Sequence, residues 1–334
     1  MPAEWEEHEG TVVYWPGRPE QYLYGSASDY SQVTDAFVGL IDIICAFEPV
    51  KLGVDPLRVA SAAERVGKRA ELFQIPLDDA WARDAAPTFL ISGAERAAVC
   101  WRYTGWGGRF EPIEKDAKAA RGVADFLGAT PLDTSLALEG GAIHSDGSGT
   151  FLTTESVLFD PGRNPGRDRD PLEQELLAIV GGKNLVVLPC GFEGDDTGGH
   201  VDVIAAFAPG GVVLTNDCED SSDPNSLASR KNRKVLSDAG LEIVGVPQPE
   251  ARFVKGDRLA YSYLNFYILN GAVLYPVFED KADSYAGGLL REHFPDREII
   301  PFDARPFYLG GGGIHCVTQQ IPKIEPTLDH GVEK

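Results

Sequence analysis

Leu138–His144 reads LEGGAIH, and Leu309–His315 reads LGGGGIH. Both are Leu-x-Gly-Gly-x-Ile-His, and both follow a run containing strand-like residues. Two glycines and a histidine held in register point to related structural units whose loops face a common centre. This restricts the fold more than composition does, because equivalent loops of like units must be brought together. The copies part at the next position, Ser145 in one and Cys316 in the other.

The local patterns agree with repeated mixed units. Short strand-like runs recur, among them GTVVYW, APTFLIS, AAVCWRY, TFLTTESVLF, NLVVLP, GVVLTN, LEIVGV, YLNFYIL, GAVLYPV and REIIPF. Helix-like segments lie between them: YSQVTDAFVGLIDIICAF with Ser31 and Asp35 as caps, DPLRVASAAERVGKRA, PIEKDAKAARGVADFLG, DPLEQELLAIVGG and SLASRKNRKVLSDAG. Two or three strands per helix is too many for a simple βαβα alternation. DPGRNPGRDRDP (160–171) reads as a long surface loop. It does not divide the chain, because the matching segments lie on either side of it. With 43% hydrophobic residues, 334 residues suffice for one large closed architecture, and a single domain over 1–334 is expected.

Charge and cysteine usage narrow the function. A formal net charge of -21 repels phosphate backbones, so nucleic acid is not an expected partner. The acidity either favours a cationic small substrate or only keeps the protein soluble. FVGLIDIICAF is too short to span a bilayer and carries Asp42. MPAEWEEHEG lacks the apolar core of a signal peptide. Five scattered cysteines suggest reduced thiols in a cytoplasm. No Cys-x-x-Cys or zinc-spaced histidine pair is present, so no metal is expected.

Four stretches carry candidate chemistry. Cys316 follows four glycines, which leave an approach open to a thiolate; the alternative is a buried thiol in a tight turn. On a strand, adjacent His315 would point to the opposite face, which argues against it as the partner of the thiol. In GDDTGGHVDV, His200 and Asp202 share a face if they are extended, and otherwise form a surface turn. In DDAWARDAAPTF, Arg83 and Asp84 lie among Trp81, Pro87 and Phe89, as a structural ion pair or as a carboxylate in a partly dry pocket. Glu139 in LEGG either supports a histidinium or is a solvated turn residue. A cysteine and a histidine among carboxylates suit a protease poorly, since that reaction needs oxyanion donors. They suit a planar cationic electrophile such as a guanidinium.

At this point the sequence resembles the agmatine deiminase/bacterial peptidyl-arginine deiminase family of the guanidine-modifying superfamily. The matches are MPAEWEEHEGTVVYWP, DDAWARDAAPTF, WGG at 106–108, LEGGAIHSDGSGTFLTTES, RNP at 163–165, DDTGGHVDV, YLNFYILNG and LGGGGIHCVTQQIP. The resemblance implies an α/β fold, a five-bladed α/β propeller (pentein) of ββαβ-type units with pseudo-fivefold symmetry and a central active site. It implies Cys316 as nucleophile, His200 as general acid/base and Glu139 as its supporting carboxylate. It implies Asp84 and Asp202 as guanidinium ligands, with Trp81 and Asn265 near the substrate. It implies a guanidino substrate, agmatine first, with peptidyl-arginine or another guanidino metabolite as the alternative and amidino transfer after that. It implies no cofactor and no metal, and it is compatible with a homo-oligomer. Three departures concern specificity: Val203 where the family has Asn, Ala86 for Gly, and an acidic run before His200 that is one residue short. A fourth is the segment after YWPG, which departs from the family's usual arginine-containing run.

Overall fold

The computed structural model describes residues 1–17 and 27–325, with the backbone alone at 27–29. The departure expected after YWPG lies outside these residues. Among the described residues the chain builds five sheets of three or four strands and one separate two-stranded hairpin.

One pattern recurs in all five sheets. A first strand pairs antiparallel with a second, and the second pairs parallel with a third reached through a helix. The strands are Thr88–Ser92, Glu95–Cys100 and Thr130–Asp133 in one sheet. They are His144–Ser145, Thr150–Thr154 and Asn184–Leu188 in the next. Ala205–Ala208, Val212–Asp217 and Glu242–Pro247 follow, then Tyr267–Leu269, Ala272–Val277 and Glu298–Asp303. The remaining sheet joins the two ends of the described chain. Thr318–Pro322 pairs antiparallel with His8–Tyr14, His8–Tyr14 pairs parallel with Val50–Val54, and Val50–Val54 pairs parallel with Glu71–Gln74.

The sequence explains this layering. Middle strands such as Ala272–Val277 are buried on both faces and therefore read as continuous apolar runs. Each fully buried Leu or Val there contributes roughly 1.5–3 kcal/mol. The helices cover the sheets with one apolar stripe each, Leu172, Leu176 and Val180 in Arg169–Val180, and Ala119, Ala120, Val123 and Ala124 in Asp116–Leu127. These two helices end on Gly128 and Gly181 in the left-handed conformation that glycine tolerates. Asp223 caps Pro224–Asp238 by accepting from the Asn225 amide. No helix among the described residues is long and apolar enough to cross a membrane.

Several local expectations need correction. The first helix begins by Ala27, so Ser31 and Asp35 lie inside it and do not cap it. TFLTTESVLF is a strand only to Thr154, after which Glu155–Leu158 turns into a short helix. YLNFYIL is extended only over Tyr267–Leu269. The segment 160–171 is not wholly a surface loop, since Arg163 and Asn164 are buried. Asn164 donates to the carbonyls of Ala137 and Leu158, and Arg163 reaches carboxylates, so polar bonds draw the turn inward.

Candidate active site

Each sheet is entered through a short turn, and the chemistry-bearing residues sit on those turns. Asp84 is on the one-turn helix Ala82–Ala85, before Thr88–Ser92. Glu139 precedes the 3-10 turn Gly140–Ala142, before His144–Ser145. His200 precedes the 3-10 turn Val201–Val203, which carries Asp202 and leads to Ala205–Ala208. Asn265 precedes Tyr267–Leu269, and Cys316 precedes Thr318–Pro322.

Hydrogen bonds link these turns into a ring. The Arg83 amide donates to the Cys316 carbonyl at 3.0 Å, and the Gly141 amide to Asp84 Oδ1 at 3.1 Å. His200 Nε2 lies 3.2 Å from Glu139 Oε2. Ser262 Oγ donates to the Val203 carbonyl at 2.8 Å, and the His315 amide to Asn265 Oδ1 at 3.0 Å. Residues far apart in sequence are thereby brought together.

Two premises of the sequence reading fail here while the residues still converge. His200 and Asp202 do not share a strand, because Asp202 lies in the 3-10 turn Val201–Val203. Asp195 accepts from the backbone amides of Thr197, Gly199 and His200 at 2.9, 2.8 and 2.9 Å and winds the segment into a turn. His315 and Cys316 are not on a strand either: the Thr318 amide donates back to the His315 carbonyl, as in a turn. The His315 ring and the thiol then share one partner. His315 Nδ1 lies 3.0 Å from Asp202 Oδ2, and Cys316 Sγ lies 3.7 Å from the same oxygen. Asn265 Nδ2 donates to Cys316 Sγ at 3.3 Å.

The alternatives left open at Glu139 and Arg83 are also decided. Glu139 is fully buried and holds Arg163 Nε through both oxygens, at 3.1 and 3.0 Å. Arg83 pairs with Glu4 and not with Asp84. Asp84 instead accepts from Trp106 Nε1 at 2.9 Å. Trp106 has φ 56°, a strained conformation for a bulky residue in the Gly105–Gly108 turn.

Electrostatics give each group a role. Burial alone would lower the pKa of His200, but Asp84 and Glu139 outweigh it and raise it to about 9. Burial would raise Glu139, but Arg163 and then His200 hold it below the usual range. Burial would raise Asp202 too, yet the His315 bond and charge hold it down. Asp84 ends above its usual value, because burial exceeds the pull of His200. Burial, then Asp202 and Asp84, push the Cys316 thiol well up. Two buried polar atoms in this group, His200 Nδ1 and Asp202 Oδ1, have no hydrogen-bond partner. Such atoms are open to a water or a ligand.

The repeated glycines have a steric purpose. Gly141 and Gly312 are equivalent in the two copies. A Cβ on Gly141 would stand 2.6 Å from His200 Nδ1, 2.9 Å from Asp202 Oδ2 and 3.0 Å from Asp84 Oδ1. A Cβ on Gly312 would stand 2.6 Å from the Trp81 ring and 3.2 Å from Cys316 Sγ. A small cavity opens here, lined by Trp81, Asp84, Trp106, Phe110, Asp196, Thr197 and Cys316, with glycines 310–312. Cys316 is buried, so the glycines open a path into the cavity and not onto the surface.

Trp106, Phe110, Asp196, Arg163, Glu4 and His315 complete the site without having been assigned a role from the sequence. WGG at 106–108, RNP at 163–165 and MPAEWEEHEGTVVYWP carry Trp106, Arg163 and Glu4 and were among the matching stretches, but none of them gave these residues a role. Among the described residues no cluster of His, Cys, Asp and Glu has the arrangement of a metal site.

With this geometry in hand, the chain was compared with known proteins. The family model described as Porphyromonas-type peptidyl-arginine deiminase matches residues 1–322. A Streptomyces coelicolor protein named "Putative agmatine deiminase" is 40% identical, covering 97% of this chain and 98% of its own. The solved agmatine deiminase of Enterococcus faecalis is similar at 29% identity and a TM-score of 0.90, covering 97% of this chain and 95% of that one. A C. jejuni agmatine deiminase with a cysteine-to-serine substitution and substrate bound is similar at 25% identity and a TM-score of 0.90, covering 98% and 96%.

Proposed function

This chain belongs to the Porphyromonas-type peptidyl-arginine deiminase family, and from that premise we propose that it converts agmatine and water to N-carbamoylputrescine and ammonia. One observation carries the reading: Cys316 and Asp84 line one cavity, Asp202 Oδ2 lies 3.7 Å from the thiol, and His200 Nδ1 lies 3.8 Å from Asp84 Oδ1. The agmatine deiminases among its relatives support the choice of substrate.

Asp84 and Asp202 hold the planar guanidinium, Asp202 through its free Oδ1. The aromatic face of Trp81 flanks it. The incoming cation offsets the two aspartates that keep the thiol protonated, and the thiol proton leaves to solvent. The thiolate then attacks the guanidinium carbon and forms a neutral tetrahedral adduct. His200, held as the cation by Glu139, gives its proton to one amino group, and ammonia departs. This leaves an S-alkylthiouronium on Cys316 and a neutral His200. His200 next takes a proton from water as the oxygen bonds to carbon. Collapse expels the thiolate, and the hydroxyl proton, lost from oxygen as the carbonyl forms, gives with the ammonia an ammonium ion. Asn265 orients the sulfur by its bond to Sγ.

The cavity also bears on substrate size. Its walls of Trp81, Trp106 and Phe110 suit a slim alkyl chain, and exposed Asp196 offers a carboxylate to a distal ammonium. Val203 packs with Ile204 and Phe207. We read the five sheets as blades around a pseudo-fivefold axis, a five-bladed α/β propeller forming one domain over 1–334. The ring of turns and the shared strand pattern support this. A cytoplasmic setting is supported by five unpaired thiols.

A colorimetric assay for ureido product tests the proposal with agmatine, free arginine, blocked arginine and peptides ending in arginine. Agmatine is expected to give product, and Cys316→Ala to give none. Full activity in Cys316→Ala would refute the nucleophile, and preference for arginine peptides would refute the substrate.

A further inference from the structure

Glu4 lies in the turn before His8–Tyr14, yet it is 1% exposed. Its two carboxylate oxygens lie 3.0 and 3.1 Å from His315 Nε2, and Arg83 Nη1 donates to Oε1 at 3.1 Å. The opposite ring nitrogen of His315 meets Asp202 Oδ2 at 3.0 Å. Arg83, Glu4, His315 and Asp202 thus form a buried line of alternating charge that ends on a proposed guanidinium ligand. The repeat counterpart, His144, also approaches Glu4, but only to 3.9 Å, and its Nδ1 accepts from the Phe207 amide. Burial drives its pKa down to about 4, so it stays neutral. His315 is raised instead: burial and Arg83 oppose its charge, but Glu4 and Asp202 outweigh them. The groups facing His315 are Glu4, Arg83 and Asp202, with the His144 ring stacked 6.5 Å away.

Asp202 needs this line because of its neighbours. Asp84 and Glu139 are buried anions nearby, and the Cys316 thiol lies 3.7 Å from Oδ2. Without a cation on Oδ2, a buried carboxylate among others takes up a proton. A proton there would remove a ligand from the guanidinium.

We propose that Glu4 is a positioning residue for the reaction: through His315 it keeps Asp202 anionic, with Oδ1 free for the substrate. The proposal rests on the deiminase reading above. Its test is agmatine binding in a Cys316→Ala background, measured by calorimetry across the acid range, with and without Glu4→Gln. The variant keeps the size of the side chain and removes its charge. The acid limb of binding is expected to rise by about one pH unit, which is about tenfold weaker binding on the limb. Binding above the limb should be little changed. His315→Gln should move the limb likewise, and the double variant no further than the larger single. It also serves as the test should Glu4→Gln fail to fold. A purely structural Glu4 would lower the melting temperature and weaken binding equally at every pH, with an unmoved limb, and that result overturns the proposal. Agmatine that neither binds Cys316→Ala nor reacts with the wild type overturns the deiminase reading itself. Normal wild-type turnover with an unmoved limb overturns only the part assigned to Glu4.

Discussion

His200 stands between two anions, and its protonation is the residue-scale quantity that the chemistry depends on. Asp84 and Glu139 overcome burial and raise it from 6.5 to about 9. As the proposed proton donor it must be charged, so kcat/KM is expected to fall as pH rises through about 9. The stability gained from these contacts has the same sign: present in full below the unfolded value near 6.5, lost as pH rises through about 9. Glu139→Gln removes one of the two anions and should move the basic limb down by about one unit. A limb that stays in place would show that Glu139 does not support the histidinium. Legibility divides sharply at this scale. Cys316, His200, Asp84 and Asp202 stood beside glycines or aromatics and could be picked out. Glu4 and Arg163 could not, because a buried charge paired across the fold leaves no local pattern. Arg163 even lies in a Pro- and Gly-rich segment that reads as surface.

At the scale of elements, the working parts are the turns that enter the sheets. The repeated Leu-x-Gly-Gly-x-Ile-His segment marks two of the five, and its glycines let these turns approach the reacting groups. Gly141→Ala would push a methyl group against His200, Asp202 and Asp84 at once. Overpacking there should cost about 1–3 kcal/mol of stability. Displacement of the reacting groups should cost about a hundredfold in kcat/KM. Thermal melting and steady-state rates measured together check both, and an unimpaired rate would remove the site from this turn. The strand-rich elements were legible from their apolar runs. The turn at His200 was not, because Asp195 side-chain bonds override the extended reading of GGHVDV. The same limit applied at His315. Its position beside Cys316 suggested opposite faces, while the turn brings both to Asp202.

The whole molecule contributes a field and a frame. A net charge of -21 should draw a cationic substrate toward the cavity. Raising the ionic strength from about 0.01 to about 0.15 M shortens the screening length from about 30 to about 8 Å. kcat/KM for agmatine should then fall about two- to tenfold with little change in kcat, and salt-independent kcat/KM would leave the acidity as a matter of solubility. The frame is five sheets with one strand pattern, the last of which pairs Thr318–Pro322 with His8–Tyr14 and so brings Glu4 and Cys316 to the same centre. That a mixed, repeated architecture was present could be read from strand frequency and one matching segment. That Thr318–Pro322 and His8–Tyr14, near the two ends of the described residues, share a sheet could not, because pairing across that separation leaves no periodic trace. The central claim is covalent catalysis by Cys316, and mass spectrometry of enzyme acid-quenched during agmatine turnover addresses it most directly. The peptide carrying Cys316 should gain the mass of agmatine less one ammonia, and Cys316→Ala should gain nothing and release no ammonia. Turnover with no adduct on that peptide, together with ammonia release from Cys316→Ala, would contradict it.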